Sequence, residues 1–188
     1  MIKRLAAFDM DGTLIDTPEP EMGKPKWGEY YAEPYPHKGW WGRKESLDLN
    51  VFNIQPFPSI LNELKKELST PDTYVIILTS RMEKLRPEVQ AILDKNSIHV
   101  HKLDMKDDWR NKGQKILDYI KEFPELEEIN VYDDMDEKIA ELKSIEEMIP
   151  DDVKYNIFRA DNGNLTLTEA EIRIVDIINE EIINVLKK

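Results

Sequence analysis

Two acidic side chains near the start of the chain carry the clearest chemical signal in the sequence. Asp9 and Asp11 follow the apolar run 3–8, and Gly12 and Thr13 come directly after them. Carboxylates this close repel one another unless a divalent cation or a shared proton relieves the repulsion. Mg²⁺ suits such a set best, because it takes one or two carboxylates, a carbonyl oxygen, waters and a phosphate oxygen. An acidic turn that caps a helix would have the same residues, so the meaning of the motif depends on the rest of the chain.

Polar side chains also follow two later apolar runs. The run 74–78 leads into Thr79, and the run 129–132 leads into Asp133 and Asp134. In open α/β sheets, ligands bind outside the carboxyl ends of the strands, where the strand order reverses. The sequence therefore predicts that the three strand ends meet in one site.

The elements that must position these residues follow from the apolar pattern. Short apolar runs alternate with helical stripes, which predicts an α/β fold: a three-layer, Rossmann-like core with a mostly parallel sheet. The predicted strands are 3–8, 74–78, 98–103, 129–132 and 155–158. The predicted helices are 59–68, 84–95, 116–123, 137–148 and a last one from 168. We expect the last helix to pack on its own sheet, with a partner helix or self-association as the alternative.

Composition narrows the class of protein. The 188 residues predict a single domain, 1–188, that carries an insertion. The absence of cysteine excludes a disulfide scaffold and a thiol nucleophile. With 26 Lys and Arg against 38 Asp and Glu, the net charge of -12 excludes a surface that coats nucleic acid or an anionic membrane. No signal peptide or membrane anchor is predicted, so we expect a cytoplasmic protein; the oligomeric state stays open.

Residues 17–57 break the regular pattern and predict an inserted cap or flap. Between residues 22 and 44, five basic side chains stand against two acidic ones. Cations interleaved with aromatic rings suit a phosphorylated ligand that has a base to stack. The same rings also suit the small core that such a cap needs in order to fold. The substrate contacts predicted here are Trp40, Trp41, Arg43 and Lys44.

The polar motifs together resemble those of the haloacid dehalogenase (HAD) superfamily over residues 3–148. The run FDMDGTLID is similar to the first family motif, and Thr79 in VIILTSR is similar to the second. The third motif is a lysine near the start of a helix, for which we choose Lys112 over Lys106 and Lys115. The acidic pair in INVYDDMDE resembles the fourth motif.

The resemblance implies a phosphatase mechanism. Asp9 would be the nucleophile that attacks phosphorus, and Asp11 would be the general acid and base. Thr79 would donate to a phosphoryl oxygen, and Lys112 would neutralise charge between the phosphate and Asp9. An aspartate at the position of Asp11 is typical of the phosphatases and phosphotransferases of the family.

The resemblance also implies Mg²⁺ as the cofactor. The implied metal ligands are Asp9, Asp11, Asp134 and Asp133. Asp11 would contribute its main-chain carbonyl, and one of the last two would be the direct ligand. In the family, glycine often stands at the first position of this pair, so Asp134 is favoured over Asp133 as the direct metal ligand.

A narrower resemblance concerns the substrate. The run HKGWWGRKESLD, following FDMDGTLIDTPEPE, resembles the HAD group called Swiss Army Knife RNA repair-like proteins. The Tyr-Asp-Asp end of the fourth motif is similar to polynucleotide 3′-phosphatase domains, which have Ser-Gly-Arg where this chain has Thr79, Ser80 and Arg81. This implies a substrate contact for Arg81, and we add Ser80 and Thr13 as further predicted contacts.

Three interpretations stay open. The first is a Mg²⁺-dependent phosphomonoester hydrolase that acts on a nucleotide or a nucleic-acid end, as in RNA repair. The second is a phosphatase for an unrelated small metabolite. The third is a catalytically silent module that binds RNA or a protein, against which the retention of every acidic motif residue argues.

Overall fold

The central sheet of the protein is built from the apolar runs of the sequence. The computed structural model describes residues 1–168. These residues contain eight strands: β1 (Arg4–Phe8), β2 (Ile15–Asp16), β3 (Gln55–Pro56), β4 (Thr73–Met82), β5 (Lys102–Lys106), β6 (Glu128–Asp133), β7 (Lys154–Asp161) and β8 (Asn164–Leu167). Six of them form one sheet in the order β5-β4-β1-β6-β7-β8, in which only β8 runs antiparallel to its neighbour. The α/β fold class with a mostly parallel sheet is confirmed.

Helices cover both faces of this sheet. The α-helices of the described residues are α1 (Pro20–Tyr31), α2 (Pro58–Ser69), α3 (Arg86–Lys95), α4 (Lys112–Glu122) and α5 (Asp136–Lys143). Successive side chains of a strand point to opposite faces. Ala6 and Phe8 of β1 therefore share one apolar cluster with α2 and α3, whereas Leu5 and Ala7 share the other with α4 and α5. The result is a core of three layers.

The strand order reverses at β1. From β1 the chain proceeds to β4 and β5 on one side, and it then crosses to β6 and β7 on the other side. The carboxyl ends of β4, β1 and β6 consequently lie next to one another. Since ligands of open α/β sheets bind at such a reversal, the fold brings the three predicted strand ends together.

Two strands differ from the sequence prediction at the edge of the sheet. β4 continues past Leu78 to Met82, so Thr79 and Arg81 belong to the strand and not to a following loop. The predicted strand 98–103 is wrong in position, because the pairing segment is β5. The register between β4 and β5 shifts between Leu78 and Met82, and this irregularity allows pairing to continue beyond the polar residues.

The last part of the sheet also differs from the prediction. The sequence predicts 155–158 as the last strand, but a further strand, β8, pairs with β7 through a two-residue turn at Asn162 and Gly163. Both turn residues have positive φ, 47° and 84°, as a tight hairpin turn of this length requires. The predicted helix 137–148 is shorter, because α5 ends at Lys143 and only a 3-10 helix follows at Glu146–Met148.

Residues 17–57 contain α1, a 3-10 helix at Lys44–Leu47 and β3. β2 and β3 pair antiparallel, which brings the two ends of this segment together. Trp27 and Trp40 are buried in its interior, while Trp41 stays partly exposed. The sequence pattern did not predict α1, because Pro25 and two glycines interrupt its apolar residues.

The predicted helix from residue 168 lies outside the described residues. No helix within residues 1–168 is long and apolar enough to cross a membrane.

Candidate active site

The loop after β1 fixes the first acidic side chain at the edge of the sheet. The backbone N–H of Asp9 donates to the carbonyl of Tyr132 at 2.8 Å, which holds Asp9 between β1 and β6. Gly12 then adopts a φ of 75°, a conformation that is favourable only for glycine. A Cβ atom at this position would lie 2.3 Å from Oδ2 of Asp134. Gly12 is therefore needed both for the turn and for the space beside Asp134.

Three carboxylates converge at this edge. Oxygens of Asp9, Asp133 and Asp134 all lie within 4.8 Å of one another. Asp133 is fully buried, and its Oδ1 accepts a hydrogen bond from the backbone N–H of Met135 at 3.0 Å. Its Oδ2 accepts one from Lys112 at 2.6 Å, so both oxygens of Asp133 have protein partners.

Asp134 is placed differently from its neighbour in the chain. It is partly exposed and borders the cavity at this edge of the sheet. The hydroxyl of Thr13 donates to Oδ1 of Asp134 at 2.9 Å. Burial nevertheless raises the pKa of Asp134, and Thr13 opposes that rise. Of the acidic pair, Asp134 faces the space where a ligand would lie.

Lys112 joins two of the acids. Its Nζ lies 2.6 Å from Oδ1 of Asp9 and 2.6 Å from Oδ2 of Asp133. The lysine is the first residue of α4, whose start is fixed by a capping box between Asn111 and Gln114. Burial acts to lower the pKa of Lys112, but the attraction of the two carboxylates outweighs it and raises that pKa. Lys112 is thus a buried, charged ammonium group.

The charges at this edge do not balance. Burial raises the pKa of Asp9, although Lys112 opposes the rise. Three converging carboxyl groups face one ammonium group beside a cavity, and the raised pKa of Asp9 shows that all three are not readily ionised together unless a further positive charge is present. Oxygen donors in this arrangement fit a hard divalent cation such as Mg²⁺. The residues present therefore suit the cofactor that the sequence predicts.

The end of β4 contributes hydroxyl groups to the same site. Thr79 and Ser80 both line the cavity. Thr79 is buried, and its Oγ1 accepts a hydrogen bond from the backbone N–H of Arg81 at 3.1 Å. That bond fixes the rotamer of Thr79 and leaves its hydroxyl hydrogen available to an anion.

Arg81 makes a two-point contact with the second aspartate of the first motif. Its Nε and Nη2 donate to the two carboxylate oxygens of Asp11 at 2.9 and 2.8 Å. Its Nη1 donates to the carbonyl of Trp41 and to Oγ of Ser46, and the guanidinium lies 5.0 Å from the centre of the Trp41 ring. Arg81 therefore connects Asp11 to residues 17–57.

These side chains surround one cavity of about 620 Å³. Its wall is formed by Asp9, Asp11, Thr79, Arg81, Lys112 and Asp134, together with residues from elsewhere in the chain. Residues 17–57 contribute Glu19, Trp41 and Gly42 to the lining. A cavity of this volume has room for a small phosphorylated ligand.

Comparison with known proteins adds to this geometry. No family model matches the sequence, and no curated protein matches it. Among solved structures, the chain is similar to the HAD domain of the effector protein Lem4 from Legionella pneumophila, with a TM-score of 0.51 and 13% identity. That match covers 95% of each chain.

The chain has a haloacid dehalogenase-like fold. It is also similar to a chain of the Pnkp1/Rnl/Hen1 complex, with a TM-score of 0.53 and 16% identity over 87% of this chain. A second structure of that assembly, described as an RNA repair complex, gives a TM-score of 0.51 and 16% identity. This chain spans less than half of the length of the chains it matches there, 47% and 43%.

The HAD-like core brings most of the predicted catalytic and metal-binding residues together, but it separates several predicted substrate contacts. Trp40 packs in the interior, where its Nε1 donates to the carbonyl of Pro18 at 2.7 Å. Lys44 borders a different cavity, and Arg43 is not among the residues that line the acidic one. Of the predicted contacts in residues 17–57, only Trp41 reaches the acidic cavity.

Two of the predicted substrate contacts in the core have protein partners. Thr13 is buried against Asp134, and Arg81 is held by Asp11 and Ser46. Their placement suggests that they orient acidic side chains, whereas Ser80 is exposed on the lining.

Three further charged residues line the cavity although the sequence does not indicate them as ligand contacts. Lys138 and Glu19 border the cavity, as does Lys106, which the sequence offered only as an alternative motif lysine. Lys138 lies in the first turn of α5, directly after the fourth motif, and that position was a usable signal. Glu19 had no such signal, because it depends on how residues 17–57 fold back.

Proposed function

We propose that the protein is a Mg²⁺-dependent phosphomonoester hydrolase that works through an aspartyl-phosphate intermediate. The observation that supports it best is the position of Lys112, held between Asp9 and Asp133 beside a cavity that Asp9 and Asp134 also border. An ammonium group at this point offsets the negative charge that builds up when a carboxylate attacks a phosphate.

The chemistry follows from the chain's own residues. A carboxylate oxygen of Asp9 attacks phosphorus, and the bond between phosphorus and the ester oxygen breaks. Asp11 gives a proton to the leaving oxygen. A water molecule then attacks the same phosphorus, loses a proton to Asp11, and releases phosphate and free Asp9. Thr79 donates its hydroxyl hydrogen to a phosphoryl oxygen throughout.

Asp9, the main-chain carbonyl of Asp11 and Asp134 would hold Mg²⁺, which supplies positive charge against the phosphate oxygens. Asp133 takes another role in this proposal. Because both of its oxygens have protein partners, it positions Lys112. Arg81 likewise positions Asp11 at the cavity wall by donating to both of its carboxylate oxygens. When Asp11 is protonated to act as the acid, one oxygen gives up its contact with Arg81 and carries the proton.

We further propose that the substrate is a nucleotide or a nucleic-acid end. The likeness to a chain of an RNA repair complex supports this, within the limits of 16% identity. Residues 17–57 would act as the cap, since Glu19, Trp41 and Gly42 from this segment complete the cavity. The exposed ring of Trp41 on the cavity lining suits stacking on a base.

Hydrolysis of p-nitrophenyl phosphate tests the reaction. We expect turnover that requires Mg²⁺ and falls at least about 10³-fold in Asp9→Asn, because the amide cannot attack phosphorus. Circular dichroism on the variant controls for folding. Equal rates in the wild type and Asp9→Asn, or equal rates with and without Mg²⁺, would contradict the proposal.

A panel of substrates tests the proposed substrate class. It contains 3′-phosphorylated oligonucleotides, mononucleotides and sugar phosphates. The nucleic-acid assignment predicts the highest kcat/KM among the first two groups. If a sugar phosphate turns over while the oligonucleotides do not, the substrate is a small metabolite instead.

A further inference from the structure

The loop between β5 and α4 exposes a large aromatic side chain. Trp109 is 81% exposed, although tryptophan is usually well covered by its own protein. The loop that carries it is held by charged hydrogen bonds: Arg110 donates its backbone N–H and its Nε to Asp108, and its Nη1 to Asp118 at 2.7 Å. Trp109 is thus presented on a fixed loop.

This side chain lies next to the candidate active site. A small depression of about 70 Å³ is lined by Trp109 and Arg110 on one side. Its other lining residues include Thr79, Ser80, Lys106, Lys112 and Lys138, and all five also line the acidic cavity. The depression therefore continues the cavity outward to Trp109.

The charges along this path suit a chain of phosphates. Lys112 is paired with Asp9 and Asp133, and Lys138 is paired with Glu141 at 3.1 Å. Among residues 1–168, no carboxylate forms an ion pair with Lys106, which is exposed and borders both spaces. A cation that has no carboxylate partner among residues 1–168, placed between the acidic cavity and an exposed ring, is available to a second phosphate group.

We propose that Lys106 and Trp109 form the binding path for a single-stranded oligonucleotide whose terminal phosphate enters the cavity. Lys106 contacts the next phosphodiester, and Trp109 stacks on a base. A protein partner would also cover an exposed tryptophan, but the acidic cavity and Lys106, which no carboxylate of residues 1–168 pairs with, lie on the same path and favour a nucleic-acid strand. This proposal rests on the proposed function and narrows its substrate from a mononucleotide to a strand.

The test compares two substrates in three proteins: the wild type, Trp109→Ala and the control Tyr30→Ala. Tyr30 is also an exposed aromatic residue, 57% exposed, but it lines no part of the acidic cavity. We measure kcat/KM for a 3′-phosphorylated pentanucleotide relative to p-nitrophenyl phosphate. The ratio should fall about 5- to 100-fold in Trp109→Ala, the range expected for the loss of one base stack, and stay constant in Tyr30→Ala. An unchanged ratio in Trp109→Ala overturns the binding path and leaves the phosphatase assignment intact.

Direct binding separates the two proposals further. A fluorescein-labelled pentanucleotide is titrated with Asp9→Asn and with the double variants that add Trp109→Ala or Lys106→Gln. Trp109→Ala should weaken binding by a similar factor, and Lys106→Gln should reduce the slope of log Kd against log salt by about one. Binding that neither change weakens overturns the path even if the enzyme is active. Weakened binding supports the path even if no phosphomonoester is hydrolysed.

Discussion

Lys112 and Lys115 lie three residues apart on α4, and each is only 6% exposed. Both contact carboxylates: Lys112 contacts Asp9 and Asp133, and Lys115 contacts Asp104 at 2.5 Å and the carbonyl of Met105 at 2.7 Å. Their surroundings differ in the balance of charge. The Lys112 cluster has three converging carboxylates for one ammonium group, and it borders the large cavity.

The Lys115 cluster is balanced. Asp104 and Asp107 face Lys115, and Lys102 lies 3.6 Å from Asp104. The hydroxyl of Tyr119 donates to the second oxygen of Asp104 at 2.6 Å. Burial acts to raise the pKa of Asp104, but the hydrogen bonds from Lys115 and Tyr119 outweigh it and lower that pKa. The carboxylate of Asp104 is stabilised by its own cluster.

The two clusters differ in the features that distinguish a ligand site from a structural ion pair. A buried lysine between acids is not by itself evidence of function, because balanced clusters of this kind also hold a fold together. An excess of acidic groups next to open space is different, since it is relieved either by a bound cation or by a proton held on one of the carboxyl groups. Asp9, with its raised pKa, and Asp104, with its lowered pKa, mark the two cases.

Of the tests that compare the two clusters, the largest expected effect comes from replacing each lysine singly with methionine. Lys112→Met should lower kcat about 10²- to 10³-fold, because the transition state loses a positive charge at the nucleophile. Lys115→Met should leave kcat within a few-fold of the wild type and destabilise the fold by about 3 kcal/mol, since Asp104 loses its main partner. Kinetics with p-nitrophenyl phosphate and urea unfolding measure both effects.

The two variants are matched controls for each other, since they lie on one helix and are equally buried. If both lower kcat to the same degree, the distinction between the clusters is wrong. If Lys115→Met leaves the free energy of unfolding unchanged, the balanced cluster does not stabilise the fold.

Mg²⁺ provides the next test of the comparison. An ion that binds only the folded protein stabilises it by about 2.7 kcal/mol at one hundred times its Kd. We expect Mg²⁺ to raise the melting temperature of the wild type and to have little effect on Asp134→Asn. Asp104→Asn should keep the full increase, because its cluster has no excess of negative charge. The ion binds elsewhere if Mg²⁺ no longer raises the melting temperature of Asp104→Asn. The same conclusion follows if Mg²⁺ still raises the melting temperature of Asp134→Asn.

The position of the candidate site is largely predictable from the sequence because it depends on strand order. Asp9, Thr79 and Asp133 each end or follow an apolar run, and parallel strands bring such ends to one edge of the sheet. The choice of Lys112 over Lys115 was a prediction from family resemblance. Both lysines stand near the start of one helix, and only the charges of distant residues distinguish them.

Other features depended on contacts that the sequence does not reveal. The partner of Arg81 could not be predicted, because it requires β4 to extend through Met82 and residues 17–57 to fold back over the site. The strand β8 is missing from the sequence prediction for a different reason. The dipeptide Asn162-Gly163 is a strong hairpin signal, and reading it would have predicted the antiparallel strand.

The smallest expected effect is the pH dependence of the balanced cluster. An unfolded chain titrates aspartate at about 3.9, and the folded protein holds the pKa of Asp104 below its usual value. The stabilising contribution of Asp104 is therefore present above pH of about 4 and is lost as the pH falls through the folded pKa. The difference in unfolding free energy between the wild type and Asp104→Asn should narrow over that window in urea titrations.

The same urea titrations on Lys115→Met show whether the contacts within the cluster cause the pH dependence of the Asp104 contribution. This variant removes one of the hydrogen bonds that lower the pKa of Asp104, so the effect of adding Asp104→Asn to it should depend less on pH. If the difference in unfolding free energy between the wild type and Asp104→Asn is constant from about pH 6 to pH 3, the pKa of Asp104 is not lowered in the folded protein. In that case the contrast between a balanced and an unbalanced cluster would rest on geometry alone.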